Sequence, residues 1–429
     1  NALDKSKPIF TISSSGNNTC IQGLNIENAS NCGIYLDHSN SCNITGNTIS
    51  NNYCGIHLQN SNNSLIYRNN ILNNRDDGIY THYSSNNVIK DNNLRNNNYG
   101  MYVYYQSNNN SFSGNNIINS TYLGIYLCFN SNSTIQNNNI TNNKYGIYFW
   151  ISNNITVINN IVTDNQYGIF SYNSLSNIFF NRITKNNIYG ICNSGNGILS
   201  AENNWWGINN PIYINSTDQN SYCDIWNKRG ILNYEPWLIL TVKTVPCNIS
   251  NGKYNTTLIT ADLSHNIHGA DVSDKGTVPD GIQVNFTSDL GTINPITYTL
   301  NGKAESYLDL SNVLSGTVNV TVSIDKENVL TKVSTCPVTN INTSKIYCNI
   351  QDAIDDLLTL NGHIIEVASG TYSENVIVNK KVIIRPVTRN NVIINALSLF
   401  NPIFTITSSG SGSWIQGFTL VGPTSLDTA

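Results

Sequence analysis

A glycine followed by alternating aliphatic and aromatic residues recurs along the first half of the chain. The glycines are Gly33, Gly55, Gly78, Gly100, Gly124, Gly146, Gly168 and Gly190, at intervals of 22 to 24 residues. A fixed period of this size marks a solenoid, in which each repeat packs only on its neighbours. Every repeat has the same inner order. An alternating stretch such as Gly124-Ile125-Tyr126-Leu127 sends Ile and Leu to one face and Tyr to the other. A polar turn follows, and then a second apolar stretch around Ile44, Leu65, Val88, Phe112, Ile135, Val157 and Ile178. Last comes Asn-x-Ile or Asn-x-Leu, from Asn47, Asn69, Asn92, Asn115, Asn138, Asn159 and Asn181. Three short strands and three turns per repeat predict one coil of a parallel β-helix. The Leu-x-x-Leu-x-Leu spacing of a leucine-rich repeat is missing, and the Gly and Asn density excludes helical repeats.

This geometry accounts for an unusual composition. The chain has 78 asparagines in 429 residues, and only 11% of its residues are charged. Stacking sets each residue over its own copies, about 4.8 Å apart. Asn tolerates the left-handed conformation of sharp turns, and its amide both donates and accepts, so it can ladder with itself. A charge in such a column would repel its copies.

The charge balance also excludes function classes. With 22 Lys and Arg against 26 Asp and Glu, there is no basic stripe for nucleic acid and no basic membrane-surface helix. The apolar run Trp237–Val242 is too short to span a bilayer. The 10 cysteines contain no CxxC pair, which leaves zinc ribbons and thioredoxin-like motifs without support. An even cysteine count and about fifteen N-x-[ST] sequons point to an extracellular or cell-surface protein, although an Asn-rich chain also makes sequons by chance. Candidate glycosylation sites are Asn28, Asn43, Asn62, Asn132, Asn154, Asn215, Asn248, Asn285, Asn319 and Asn342. The N-terminal Asn1-Ala2-Leu3-Asp4 is no targeting sequence, so the expectation is a segment of a mature protein.

The solenoid is expected over residues 1–207. Ala201-Glu202-Asn203-Asn204-Trp205-Trp206-Gly207 breaks the pattern, and its two tryptophans would close the last coil. Residues 208–236 read as a closing segment or linker. Over 237–336 asparagine thins and longer alternating strands appear, among them Leu238–Val242, Thr257–Ala261, Ile282–Phe286 and Thr317–Val322. These predict an immunoglobulin-like β-sandwich. Its Ser264–Gly281 loop holds His265, His268, Asp271, Asp274 and Asp280. Structural calcium is conceivable there, but no EF-hand spacing supports it, and no metal site or cofactor is expected beyond covalent N-glycans. Residues 337–429 change again. Ile350, Ala353, Ile354, Leu357 and Leu358 share one face of a short helix, and short strands follow, as for a cap and the first coils of a second β-helix.

The C-terminal stretch repeats the N-terminal one. Asn401-Pro-Ile-Phe-Thr-Ile-Thr-Ser-Ser-Gly followed by Trp414-Ile-Gln-Gly matches Lys7-Pro-Ile-Phe-Thr-Ile-Ser-Ser-Ser-Gly followed by Cys20-Ile-Gln-Gly, at a constant offset of 394. The chain therefore reads as one period, plus an overlap, of a longer array or end-to-end assembly.

The Gly-Ile-Tyr coils, the Asn-Asn-Trp-Trp-Gly ending and Ile350-Gln-Asp-Ala-Ile-Asp-Asp followed by Gly370-Thr-Tyr-Ser-Glu-Asn-Val resemble methanogen adhesin-like and S-layer-like surface proteins. The resemblance implies right-handed, pectate-lyase-like β-helices. The middle region, with Thr260-Ala-Asp-Leu and Val278-Pro-Asp-Gly-Ile-Gln-Val-Asn-Phe, resembles invasin- and intimin-type Ig-like domains. The resemblance is specific for architecture; the expectation for function is a structural protein of a filament, sheath or S-layer whose partners are further copies of itself, glycans or other surface proteins. The fold also hosts enzymes.

Two outward columns bear on activity. Asp37, Gln59, His82, Tyr104, Cys128, Trp150 and Tyr172 form one, with Arg75, Asp76 and Asp77 nearby. A glycosidase-like carboxylate pair would require Asp76 or Asp77 to turn toward Asp37. The expectation is no enzyme. The other column is Tyr35, His57, Tyr80, Tyr102, Tyr126, Tyr148 and Phe170. With Tyr104, Trp150 and Tyr172 it forms an aromatic stripe that either binds glycans or a partner, or simply stabilises the strands. Candidate disulfides, by stacking or position, are Cys20 with Cys42, Cys32 with Cys54, Cys192 with Cys223 and Cys247 with Cys336. Cys128 and Cys348 have no obvious partner.

Overall fold

A computed structural model describes residues 6–217, 222–246, 248–249, 255–313, 316–398 and 401–422. The repeats form a right-handed parallel β-helix with three sheets running its length. The first sheet has eleven strands, from Phe10–Ile12 through Cys32–Asp37 to Cys223–Asn227 and Tyr213–Asn215. The second has ten, from Cys20–Gln22 to Ile231–Asn233, and the third has eight, from Asn25–Glu27 to Arg182–Thr184. Every pairing in these sheets is parallel, and all but that of Tyr213–Asn215 with Cys223–Asn227 join one coil to the next. Ile56, for example, lies between Ile34 and Ile79, and Ile125 between Met101 and Ile147.

The periodicity creates the core directly. Ile34, Ile56, Ile79, Ile125, Ile147 and Ile169 stack inside with no exposed surface. The repeat glycine is required by close approach. A Cβ on Gly124 would sit 2.5 Å from the carbonyl oxygen of Gly146, and one on Gly55 would sit 2.4 Å from that of Gly78. Positive-φ asparagines turn the chain between sheets, including Asn51, Asn73, Asn96, Asn119 and Asn142 in successive coils.

Buried amides form the expected ladders. Asn47 donates through Nδ2 to Oδ1 of Asn69 at 3.0 Å, and the relay continues through Asn92, Asn115, Asn138, Asn160 and Asn181 to Asn204. The sixth rung is Asn160 instead of the expected Asn159. The register pairs Ile140 with Val162, so this coil is displaced by one residue from the sequence pattern. A second ladder runs Asn52–Asn74–Asn97 and resumes at Asn143–Asn165–Asn186.

The solenoid does not end at 207. Cys223–Asn227 pairs in parallel with Tyr189–Asn193, and Ile231–Asn233 with Ile198–Ser200, so the expected linker supplies another coil. Trp205 and Trp206 do not close the stack together. Trp206 is buried in the solenoid core, whereas Trp205 is buried in the next core along the chain. Alternation of side chains along an extended backbone sends neighbours to opposite sides. Tyr234 and Trp237 pack on the end of the solenoid core.

Antiparallel strands follow in two sheets. Leu238–Val245, Thr256–Asn266, Lys303–Asp309 and Thr292–Ile293 make a sheet of four; Asn248–Ile249, Glu327–Thr335, Gly316–Ile324, Gln283–Ser288 and Ile296–Tyr298 make a sheet of five, in which only the Asn248–Ile249 pairing is parallel. Their shared core holds Leu240, Ile259, Val284, Phe286, Leu308, Val320 and Val333, and it extends to Phe180 and Trp205 of the solenoid.

Near the C-terminus, parallel pairs such as Ile364–Val367 with Ile383–Pro386 begin a second set of coils. The cap helix is shorter than its apolar pattern suggested. It spans Ile350–Asp355, is capped by Asn349 accepting from the Asp352 amide, and buries Ile350, Ala353 and Ile354. Asp356 leaves the helical conformation, so Leu357 and Leu358 are 92% and 59% exposed instead of sharing the buried face.

Candidate functional site

Residues at alternate positions of the first sheet point outward, and the parallel register stacks each type over itself. Tyr35, His57, Tyr80, Tyr102, Tyr126, Tyr148 and Phe170 form one continuous column. Successive ring centroids are 4.8, 4.5, 5.1, 4.9, 5.2 and 4.7 Å apart. The second predicted column brings His82 to 5.2 Å from Tyr104, and Trp150 to 4.3 Å from Tyr172. All the predicted aromatic residues therefore share one face.

Sequence reasoning missed a third column, immediately before the glycines. Its residues include Cys32, Cys54, Asp77, Tyr99, Leu123, Tyr145, Tyr167, Tyr189 and Cys223. Tyr145 stacks on Tyr167 at 4.5 Å, and Tyr99 reaches across to Tyr102 at 5.5 Å. The signal was available as Tyr-Gly in four of the repeats, at residues 99, 145, 167 and 189. Tyr53, Tyr83, Tyr105, Tyr122 and Phe129 add exposed rings around it.

The rings are half-buried against one another. Burial pushes the Tyr80 phenol up to about 12 and raises those of Tyr102, Tyr126 and Tyr148 as well. None of these is an acid or base near neutral pH. Trp150 and Tyr172 are within 17° of parallel, and Tyr145 and Tyr167 within 22°. At such separations each ring covers its neighbour's face, which is the surface a pyranose would need.

The N-terminal end of the face is polar. Cys32 and Cys54 are register partners in adjacent coils, both buried. A hydrogen bond from Cys54, assisted by His57, holds the Cys32 thiol down to about 6 despite burial, while Cys54 is pushed up. Burial, and the negative charge of Asp76, raise the Asp77 carboxyl to about 8. Its Oδ1 is buried without a hydrogen-bond partner. Asp77 thus does not turn toward Asp37, whose own partner is His38 at 2.6 Å. Asp77 and Asp37 therefore do not form the carboxylate pair of a glycosidase.

The cysteines differ from expectation in part. Cys336 forms a disulfide with Cys348, 12 residues on, and not with Cys247, which lies outside the described residues. Cys20 does not face Cys42. The register sets it opposite Asn43, so Cys20 is exposed and Cys42 points inward. Cys32 and Cys54 are adjacent thiols, and Cys192 and Cys223 share a small buried cluster with Tyr189. Asn28, Asn43, Asn62, Asn132 and Asn154 lie in turns or on the second sheet, and Asn215 on the last strand of the first. Asn285 and Asn319 are on strands of the antiparallel region and Asn342 follows the strand Val338–Asn340; Asn248 is in a short strand, and its side chain is outside the described residues. In the Ser264–Gly281 loop, Asp271 caps the Ser273 amide and Asp280 the Asn301 amide.

Family models agree with the solenoid. A model described as right-handed beta helix region matches residues 9–127, and one described as periplasmic copper-binding protein (NosD) matches residues 73–230. Among the described residues no three His, Cys, Asp or Glu side chains are gathered so as to hold a metal ion. The chain is 44% identical over 85 residues to a cell surface glycoprotein of Methanothermus fervidus, a stretch covering 20% of this chain and 14% of that protein. Among solved structures it is similar to the catalytic domain of a GH87 alpha-1,3-glucanase, with 14% identity, 54% and 55% of the two chains covered and a TM-score of 0.37. It is also similar to an alginate lyase from Paenibacillus sp. str. FPU-7, with 13% identity, 52% and 99% covered and a TM-score of 0.36. Likenesses this distant carry no argument about activity. The chain is an extracytoplasmic, cell-surface protein, in agreement with its composition and with both the surface-glycoprotein relative and the periplasmic family. No helix among the described residues is long and apolar enough to cross a membrane.

Proposed function

We propose that the chain is a structural segment of a cell-surface filament, sheath or S-layer, in which β-helices and Ig-like sandwiches alternate and β-helices stack end to end. One observation carries this reading. The 394-residue repeat extends to structure: Phe404–Ile406, the 3-10 turn Ser408–Gly410, Trp414–Ile415 and Thr419–Val421 correspond in order to Phe10–Ile12, Ser14–Gly16, Cys20–Gln22 and Asn25–Glu27. In the N-terminal solenoid these elements are followed directly by the coil that begins at Cys32. In this reading a further coil stacks on Thr419–Val421, as the coil that begins at Cys32 stacks on Phe10–Ile12, and one segment continues into another as an unbroken solenoid. In this reading the protein carries N-glycans, needs no cofactor and has no catalytic role.

Negative-stain imaging of native surface material is the test, with the same material run on a denaturing gel. A regular axial repeat along filaments or sheets is expected. A single band near 47.4 kDa would assign the stacking to separate subunits instead of a covalent array. Isolated particles with no axial order would overturn the reading.

The second reading is an adhesin. The aromatic face, with Tyr35, Tyr80, Tyr102, Tyr104, Tyr126, Tyr148, Trp150 and Tyr172, supports it, and the covered ring faces weaken it. Saturable polysaccharide binding that is lost on replacing Tyr102, Tyr126 and Tyr148 by Ser would favour it. Cleavage of the polysaccharide would point to an enzyme.

A further inference from the structure

Apart from Arg75 and the buried Asp77, which flank Asp76, the charges on the aromatic face are few and are not scattered. Asp37 belongs to the outward column that continues through Gln59, His82, Tyr104 and Cys128, and Lys228 follows Asn227 at the other end of the same column. The Lys228 ammonium lies on this outer side, 5.5 Å from the Trp226 ring centroid. Asp76 and Lys144 occupy corresponding positions on the flank, each one residue ahead of a strand of the first sheet. Lys144 lies over the Tyr122 ring at 4.7 Å, again on the outer side. Each of these two columns thus has an acid toward its N-terminal end and a lysine toward its C-terminal end.

We propose that this face pairs with the same face of a second copy, about a two-fold axis parallel to the strands. Such an axis reverses the order of coils and keeps each column opposite its own counterpart. Asp37 of one copy then meets Lys228 of the other, and Asp76 meets Lys144, each contact made twice as a closed two-fold interface requires. The two pairs agree on where the axis lies. In the strand order of the sheet, the midpoint between Cys32–Asp37 and Cys223–Asn227 is Leu123–Cys128; the midpoint between Asp77–His82 and Tyr145–Trp150 falls between Tyr99–Tyr104 and Leu123–Cys128. The two differ by half a coil, or about 2.4 Å.

Size and chemistry fit. Strands of about 20 Å stacked over some 40 Å give roughly 800 Å² per partner, the usual share of a stable interface. Tyr and Trp with few charges is the composition of an interface centre. None of the sequons falls on the nine strands from Cys32–Asp37 to Cys223–Asn227; on this sheet only Asn215, on the strand beyond them, is a sequon, so glycans on the turns and the other sheets leave the middle of this face bare. Lateral pairing does not depend on end-to-end stacking.

The test uses the full chain in a concentration series by sedimentation velocity, with charge-swapped variants. Wild type is expected to form a dimer that weakens at least tenfold between low and high salt. D37K/D76K and K144E/K228E should each be monomeric alone, dimerise when mixed in equal amounts, and the fourfold swap should dimerise alone. Near-native circular dichroism checks that each variant folds. Asp76 and Lys144 lie in the interior of the stack, so an end-to-end contact does not respond to swapping them, and its failure leaves the mixing result unchanged. A wild type that stays monomeric at high concentration, a dimer indifferent to the swaps, or a mixture that stays monomeric would each overturn the proposal. Retention of a monomeric wild type on a polysaccharide, lost with Tyr102, would assign the face to a glycan instead.

Discussion

Arg182 and Asp325, 143 residues apart, join the solenoid to the antiparallel sheets through a two-pronged ion pair, with Arg182 Nε 2.9 Å from one carboxylate oxygen. Trp205 Nε1 donates to the same oxygen at 2.9 Å, and Lys185 lies 3.5 Å from the other. The Asp325 side chain is 1% exposed. Burial alone would raise its carboxyl, but Arg182, Trp205 and Lys185 outweigh that and hold it below the usual range.

Asp325→Ala should therefore be severe. It leaves Arg182 and the Trp205 indole buried without an acceptor, at a cost of about 3–5 kcal/mol. A carboxyl depressed in the folded state contributes stability that is full above its unfolded value and fades as pH falls through the folded one. Urea unfolding of wild type and variant at pH 7 and pH 3 checks both statements. The gap should narrow in acid, and a gap independent of pH would show that the charge contributes nothing.

The second Asn ladder has one missing rung, and restoring it should stabilise the protein. Asn97 Nδ2 reaches only the Ile71 carbonyl, because Ser120 stands where the next Asn would be, and the Ser120 hydroxyl is buried without a partner. Elsewhere in this column the amide nitrogen fits beside the position of a glycine Cβ, as Asn143 does at Gly124. Ser120→Asn should add about 1 kcal/mol, read as a rise in Tm. A fall would mean that the coil has no room.

Two glycines separate close approach from backbone freedom. A Cβ on Gly124 meets the Gly146 carbonyl at 2.5 Å and Ile140 at 3.0 Å, so Gly124→Ala must push two coils apart, at about 3 kcal/mol or more. Gly46 has open space around it but a φ of +64°, and Gly46→Ala should cost only about 1 kcal/mol. Equal losses of stability in denaturant titrations would contradict this distinction.

These contrasts show what the sequence made legible. Period and alternation fixed the coils and the aromatic columns, because parallel stacking turns a linear repeat into a spatial one. Disulfide pairing was hidden by register: Cys20 and Cys42 share the repeat spacing, but the coil between them gains a residue and turns Cys20 outward. The joint at Arg182 and Asp325 was also invisible, since it depends on how two different folds meet. The splitting of Trp205 and Trp206 between two cores follows from alternation, once the strand is known to continue instead of ending the stack.

Asp77 stands in a column of mostly apolar and aromatic neighbours, above Cys54 and below Tyr99, with one oxygen unpartnered. Its carboxyl is raised to about 8, first by burial and then by Asp76. Between the ordinary value near 4 and about 8 the folded state therefore holds a proton that the unfolded chain has released. Stability should be greatest in mild acid and decline as pH rises through this window. Asparagine has the shape of the protonated acid and no charge to bury. Asp77→Asn should match wild type closely near pH 4 and exceed it by roughly 2–5 kcal/mol at pH 8.5. Thermal or urea unfolding of both proteins across this range decides the matter. A stability difference that stays constant from pH 4 to 8.5 would show that Asp77 is already ionised at neutral pH, and that the polar end of the aromatic face is wetter than its packing indicates.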